Sequence, residues 1–364
     1  MWTRKFFDQW EWYHRPVSPM EESLLLPKHI NQSLSLISKK LGIRFPSPAW
    51  KVISGYLYMT GKYSSVLFQP GIILLPFKFW KELPVAGRRW TRQVLPAYQK
   101  EIDKVKIMDL EKFRQDKLIE ILEKISELES KLMAESVYVV LYAISSEVMV
   151  KIAYGLLVRD AEKINYHELL IGFPDAGLEA DAQLWKISRL TGKNRQSKIQ
   201  DWICRFGHRI QDKDILYPTL GENLEMIDNL IRIYRSATDP KQRIEAAVTR
   251  RLAREKLAAE NLHSIPGVKV VFGKIKQIAQ DYAKIRNSRP FYYQGNHQIR
   301  RILLALAKRI SWLEDINDVF FLRLEELSPA TGNVSAEILK RQVADRKSLY
   351  NERLNSPPRL FTSL

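Results

Sequence analysis

One cysteine, Cys204, in 364 residues leaves no internal disulfide framework and no Cys-rich zinc site. Its neighbours Trp202 and Phe206 lead us to expect a buried thiol rather than a nucleophile. Glycine (15) and proline (17) are scarce, and long stretches contain neither, which excludes a many-turned β architecture and favours helices. The six histidines (His14, His29, His167, His208, His263, His297) are scattered, with no H-E-x-x-H or other close pair to hold a metal. No G-x-x-x-x-G-K-[ST] or G-x-G-x-x-G loop cradles a phosphate, and no G-x-S-x-G elbow presents a serine. The sequence thus carries no self-sufficient catalytic constellation. MWTRKFFDQWEWYHRP lacks an apolar stretch followed by a small-residue cleavage site, so no secretory signal is expected and a cytoplasmic location is the default.

Long hydrophobic runs are also few. Val66 to Trp80 is short for a membrane span and is broken by Pro70 and Pro76. Val137 to Val158 is long enough but holds Glu147 and Lys151 one helical turn apart. Charges at that depth cost several kcal/mol in a bilayer, whereas the pair can bridge at (i, i+4) beside a protein core. We expect a buried core helix and no membrane span.

What is present is a chain of ordinary globular make-up, 45% hydrophobic and 27% charged, too apolar for disorder. Its net charge is +17, from 58 Lys and Arg against 41 Asp and Glu. Such a field gathers anions, whether nucleic acid, acidic lipid, phosphorylated ligand or acidic partner. The charges are interleaved, however. Lys104 to Lys131 alternates in sign, the pattern of a solvated helix face.

The first hundred residues are aromatic and proline-punctuated, and predict short helices joined by turns. Within them Lys51 to Lys62 has the strand signal, with Gly61 near its end. From Asp109 the pattern changes. Leu118, Ile121, Leu122, Ile125, Leu128 and Leu132 recur at helical spacing, and Ser136 to Leu157 reads as a second long helix. Further helices are expected over Leu178 to Thr191 (ended by Gly192), Lys198 to Phe206, Glu222 to Ala237, Pro240 to Leu262 behind the Asp239 cap, Val271 to Arg286, Gly295 to Leu313 and Ser335 to Asn351, with an extended tail. The fold class is all-α and bundle-like, with at most a minor β element near 51–62. The organisation is an irregular part (1–108), a long-helix body (109–335) packed with it as one unit, and a terminal helix and tail (336–364).

Two segments are candidates for binding. In Phe206-Gly207-His208-Arg209, followed by Gln211, Asp212, Lys213 and Asp214, a tight turn at Gly207 would set an imidazole beside a fixed cation and carboxylates. The cluster either binds an anion or orients a substrate, or it is an ion-pair brace between helices. In Arg286-Asn287-Ser288-Arg289-Pro290-Phe291-Tyr292-Tyr293, cations and aromatics either line a pocket or pack a helix junction. The substrate-binding candidates are therefore His208, Arg209, Asp212, Arg286 and Tyr292.

Several segments, in order, resemble the helical region between the ATP-grasp and phosphohistidine domains of phosphoenolpyruvate-synthase-like enzymes, to which rifamycin phosphotransferases are similar. They are WTRKFFDQWEWYHRPVSPM (Trp2 to Met20), VISGYLYM (Val52 to Met59), LPAYQKEI (Leu95 to Ile102), LEADAQLWKIS (Leu178 to Ser188), FGHRIQDKDILYPTLGEN (Phe206 to Asn223), RNSRPFYYQ (Arg286 to Gln294) and EDINDVFFLRLEEL (Glu314 to Leu327). The last is the most specific. Two departures stand out: Tyr217-Pro218-Thr219-Leu220 replaces a Pro-Arg-Trp-like turn, and Asn287 stands where an acid is usual. The resemblance implies a modular machine in which an ATP-grasp domain splits ATP, a swivelling domain carries phosphate on a histidine, and the helical region binds the acceptor. This chain has neither the Thr-Ser-Gly-Gly-type loop leading into Ser-His nor the swivelling domain, which would begin near Pro357-Pro358, and His208 belongs to a different motif from the phosphohistidine. The expectation is an acceptor-binding or linker subunit of a phosphotransferase. Separate ATP-grasp and phosphohistidine proteins would be its partners, with ATP and Mg²⁺ bound by them and no cofactor by this chain. The competing expectation is a basic, non-enzymatic scaffold for an acidic partner or nucleic acid, using Arg88, Arg89, Trp90 and Arg92 with Arg250, Arg251 and Arg254.

Overall fold

The computed structural model describes residues 2–3, 13–60, 75–159, 165–173, 175–210, 212–289, 294–327, 335–359 and 361–362. These are mainly helical, with one small antiparallel sheet. Helix α1 (Pro19–Leu24) starts at Ser18, whose hydroxyl accepts the Glu21 N–H at 3.3 Å. Helix α2 (Leu26–Leu41) has Pro27 in its first turn, where the missing N–H costs nothing.

The predicted strand is a hairpin. Strands β2 (Trp50–Ile53) and β3 (Tyr56–Thr60) flank Ser54 and Gly55, both at positive φ (49° and 79°), the two-residue turn that suits the twist of paired strands. Its expected end, Gly61 and Lys62, lies outside the described residues. Two two-residue strands, β1 (Trp2–Thr3) and β4 (Phe361–Thr362), complete the order β2-β3-β1-β4. The carboxy-terminal segment, expected as a plain tail, thus pairs with the amino-terminal one.

Prolines interrupt the early helices less than expected. Helix α3 (Leu75–Arg89) runs through Pro84 and joins α4 (Leu95–Lys106) by a π turn at Trp90–Val94. Helix α5 (Gln115–Leu157) is a single 43-residue helix where two were expected, because Met133-Ala134-Glu135 offers no breaker. Helices α6 (Ala176–Ile187), α7 (Gly192–Phe206), α8 (Leu224–Ser236), α9 (Pro240–Glu260), α10 (Val268–Ser288), α11 (Gln294–Ala307) and α12 (Ala336–Asn355) follow. Asp239 caps α9 as expected, accepting the Lys241 N–H at 2.9 Å. Gly192 opens α7 rather than closing α6.

Helix α5 is the spine, packed against α2, α10 and α11. The main core draws residues from Met20 in α1 to Tyr350 in α12, so the first hundred residues and the long helices share one interior. The Lys104 to Lys131 stretch is a solvated face, with pairs such as Lys117–Glu120 and Lys131–Glu127.

Two burial expectations change. Cys204 is exposed. Residues two apart on a helix point to opposite sides, so Trp202 and Phe206 turn inward and Cys204 outward. The carboxy-terminal half of α5 is only partly core: the helix is apolar and long enough to cross a membrane by length and composition, and half of its most apolar window is buried inside the protein. Glu147 pairs with Arg286 at 2.7 Å across the helix packing instead of with Lys151.

Candidate functional site

Deep in the main core, ionisable side chains from distant segments converge. Asp214, in the loop after α7, receives the Ser18 N–H at 2.5 Å, the Ser18 hydroxyl at 2.7 Å and the Leu216 N–H at 2.8 Å. One hydroxyl therefore caps α1 and ties it to a residue 196 positions later. Glu21, on the next turn of α1, accepts the Tyr13 hydroxyl at 2.6 Å and the Ile215 N–H at 3.3 Å. From α5, Glu129 accepts the Tyr98 hydroxyl at 2.6 Å, and the Tyr98 oxygen in turn accepts the Gly295 N–H at 2.7 Å. Gly295 has to be glycine here, since a Cβ would collide with the Glu129 carboxylate. The buried Lys213 ammonium faces Glu129 and Glu21, with the Arg289 guanidinium and the imidazole of His29 in its field.

Desolvation dominates the electrostatics. Burial, reinforced by Asp214, pushes Glu21 up to about 8, and burial pushes Asp214 up to about 6. Burial also raises Glu129 and lowers Lys213, while the lysine and the carboxylates favour each other's charged forms. His29 is held well below its ordinary range by burial and by Lys213, so its ring is neutral. Tyr13 and Tyr98 are raised well above theirs by burial and remain hydrogen-bond donors. Both ring nitrogens of His29, Oε1 of Glu129 and Oδ1 of Asn296 are buried without a hydrogen-bond partner among the described residues. Such atoms are rare in native interiors, and ionised groups so buried add little to stability. Chemically, the cluster can exchange protons and offers acceptor atoms to a polar group.

Tyr98 joins this centre to a cleft of about 730 Å³ between α2, α4 and α5. Leu36, Val94, Leu128 and Leu132 make its walls apolar, and Lys39, Lys131 and Glu135 stand among its charged lining residues. Its volume is in the range of small-molecule sites, and it is open to solvent rather than enclosed.

Arg300 on α11 props the loop that carries Asp214. Its guanidinium donates to the Ile215 and Leu216 carbonyls at 2.7 and 2.6 Å, pairs with Glu222 at 2.9 Å and lies over the Phe320 ring at 4.6 Å. Phe320 belongs to the segment EDINDVFFLRLEEL.

The candidates from the sequence are dispersed around this centre. Asp212 borders it, accepting the Asp214 N–H at 3.2 Å and standing 3.8 Å from Arg15. His208 is half-buried near His297, whose pKa burial lowers to about 4. Arg209 reaches Asp181 at 3.9 Å. The glycine before them is needed for space rather than for an unusual φ: a Cβ on Gly207 would lie 2.5 Å from the Ile203 carbonyl oxygen on the preceding turn and 3.0 Å from the Gly221 Cα. Arg286 is elsewhere, on Glu147, eighteen residues or about 27 Å along α5 from Glu129. Tyr292 lies outside the described residues, as do Pro290, Phe291 and Tyr293.

Glu21, His29 and Glu129 were not singled out from the sequence as site residues, and Lys213 and Asp214 entered only as part of the segment that follows Phe206-Gly207-His208-Arg209. A signal existed for two of them. Glu129 sits where the apolar face through Ile125 and Leu132 demands a hydrophobe, and His29 occupies the same kind of position between Leu26 and Ser33 on the buried face of α2.

The pKa of Glu21 gives a pH prediction. Its unfolded carboxyl ionises near 4.5, whereas the folded one keeps its proton to about 8. The native state binds the extra proton between those values, so stability falls as pH rises through that window. Glu21→Gln should flatten the decline: its melting temperature should move less between pH 5 and pH 8 than that of the wild type. Parallel slopes would show that Glu21 ionises normally.

The surface proposed for scaffolding is largely engaged internally. Trp90 is buried, Arg89 pairs with Glu135, Arg254 with Glu168, and Arg251 bonds the Ile171 and Gly172 carbonyls. No protein-family model matches this chain, and no curated protein matches it.

Proposed function

We propose that this chain is the acceptor-binding body of a phosphotransferase system that resembles the phosphoenolpyruvate-synthase-like and rifamycin-phosphotransferase-like enzymes. Separate ATP-grasp and phosphohistidine proteins, with ATP and Mg²⁺, supply the phosphoryl group. The observation that carries this reading is convergence. Segments that bear the resemblance, from Ser18 through Tyr98 to Lys213 and Asp214, place side chains in one buried centre under an apolar cleft. The cleft favours a bulky apolar acceptor such as an ansamycin over pyruvate, which would leave most of its volume unfilled. Lys39 and Lys131 stand at the cleft beside Glu101 and Glu135, and Lys39 is the cation there that would meet an incoming phosphoryl group.

The test is reconstitution. Phosphorylation of rifampicin and of pyruvate is measured with ATP, an ATP-grasp component and a phosphohistidine component, with and without this chain. Product that forms equally well without the chain removes the proposal. Ala97→Trp, at an exposed position lining the cleft, should cut acceptor phosphorylation at least tenfold without changing the melting temperature. His208→Ala and Arg209→Ala should lower acceptor use more than stability. The Arg209–Asp181 pair is about a third exposed and long, and contributes under about 1 kcal/mol. A melting temperature lowered by many degrees in either variant would mean that the segment is a structural brace.

A further inference from the structure

The exposed apolar side chains of α5 form a continuous face. Ile144, Val148, Ile152 and Leu156 are 38% to 71% exposed and recur once per turn over about 18 Å of helix. At 100° per residue they fall within an arc of about 120°. Gly155 lies inside that arc with no atom near the place of a Cβ, and exposed Lys151 lies at its edge. The same end of the molecule carries more. The chain after α9 returns to the end of α5, where the His263 N–H donates to the Leu157 carbonyl at 3.0 Å. This brings exposed Ile265 there, followed by exposed Val270 and Val271 in the first turn of α10. Phe272 fixes that turn by packing on Tyr154.

Cations accompany these groups. Lys151, Arg159, Lys269 and Lys274 are exposed and make no ion pair among the described residues. Among the described residues, the acids of the adjoining elements are paired, Glu147 with Arg286, Glu168 with Arg254 and Glu260 with Lys256. Apolar side chains at the level of a helix surface, bordered by unpaired lysine and arginine, match the interface of a bilayer with anionic headgroups. A second copy of the chain fits less well, because a two-fold contact here would bring these cations against one another.

We propose that this end of the molecule docks peripherally on an anionic membrane surface, with the outward face of α5 lying along the headgroup boundary. The experiment is sedimentation of the full chain with vesicles of phosphatidylserine and phosphatidylcholine, about 3:7, against vesicles of phosphatidylcholine alone. Binding to the anionic vesicles should exceed binding to the neutral ones at least tenfold, and should fall as salt rises. The double variant Val148→Glu with Ile152→Glu should lose binding at least tenfold with an unchanged melting temperature, since both positions are exposed. Lys151→Glu with Lys269→Glu should weaken binding to anionic vesicles specifically. No sedimentation with either vesicle overturns the proposal, as does equal binding to both. A concentration-dependent dimer that the Val148→Glu, Ile152→Glu variant dissolves would also overturn it, by showing that a second copy covers the face.

Discussion

Replacing Lys213 with Met should destabilise the protein by about 3–5 kcal/mol, and by more at pH 8 than at pH 6. The ammonium is buried among groups that burial already pushes toward neutrality: Glu21 at about 8, Asp214 at about 6, and Glu129 above its ordinary value. Removing this lysine leaves Glu21 and Glu129 with less to favour ionisation, so their folded pKa values rise further while the unfolded ones stay put. The native state must then hold more protons than the unfolded chain over a wider range, and stability drops as pH climbs. Denaturant melts at the two pH values measure this directly. Adding Glu129→Gln to Lys213→Met should recover a large part of the loss, because the pair is then neutral on both sides. A single variant that costs less than about 1 kcal/mol at both pH values would mean that the ammonium does not compensate the carboxyls at all.

The same cluster bears on the acceptor reading. A network this costly can persist either because it fixes the packing of α1, α5 and the loop after α7, or because it works with what enters the neighbouring cleft. Atoms on His29, Glu129 and Asn296 are buried without a hydrogen-bond partner among the described residues, but none of these residues lines the cleft, and Tyr98 is the link between the network and the cleft.

Much of the scaffold was legible in local sequence. The Asp239-Pro240 pair marks the start of α9, Ser335 the start of α12, and three- and four-residue spacing marks α5. Failures of the local rules have physical causes. The hairpin turn was hidden because Ser54 adopts a positive φ that its side chain does not advertise, and Pro84 was tolerated inside α3 although proline usually ends a helix. Assembly of the site was much less legible. Ser18 and Asp214 meet across 196 residues of chain, and the cleft exists only where α2, α4 and α5 diverge. Composition does not encode such placements. Glu129 is the exception, a carboxylate on an otherwise apolar stripe, visible without coordinates.

Gly207→Ala should lower stability by about 1–3 kcal/mol, the usual range for forcing an atom into a packed interior. The residue takes an ordinary helical φ of −65°, so backbone strain is not the cause. The cause is space. A Cβ would lie 2.5 Å from the Ile203 carbonyl oxygen and 3.0 Å from the Gly221 Cα, both main-chain atoms that cannot rotate aside. The two glycines also share a hydrogen bond, Gly221 N–H to the Gly207 carbonyl at 2.7 Å, which the added methyl would stretch. Because the bond anchors the return of the chain after His208, Arg209 and Asp214, separating the two segments would also shift the loop braced by Arg300. Gly221→Ala meets the same surface from the other side, at 3.1 Å. Once either methyl has pushed the segments apart, the second adds less, so the double variant should cost clearly less than the sum of the singles. Additive losses would place the two clashes in independent sites and remove the close approach as the reason this motif needs its glycine.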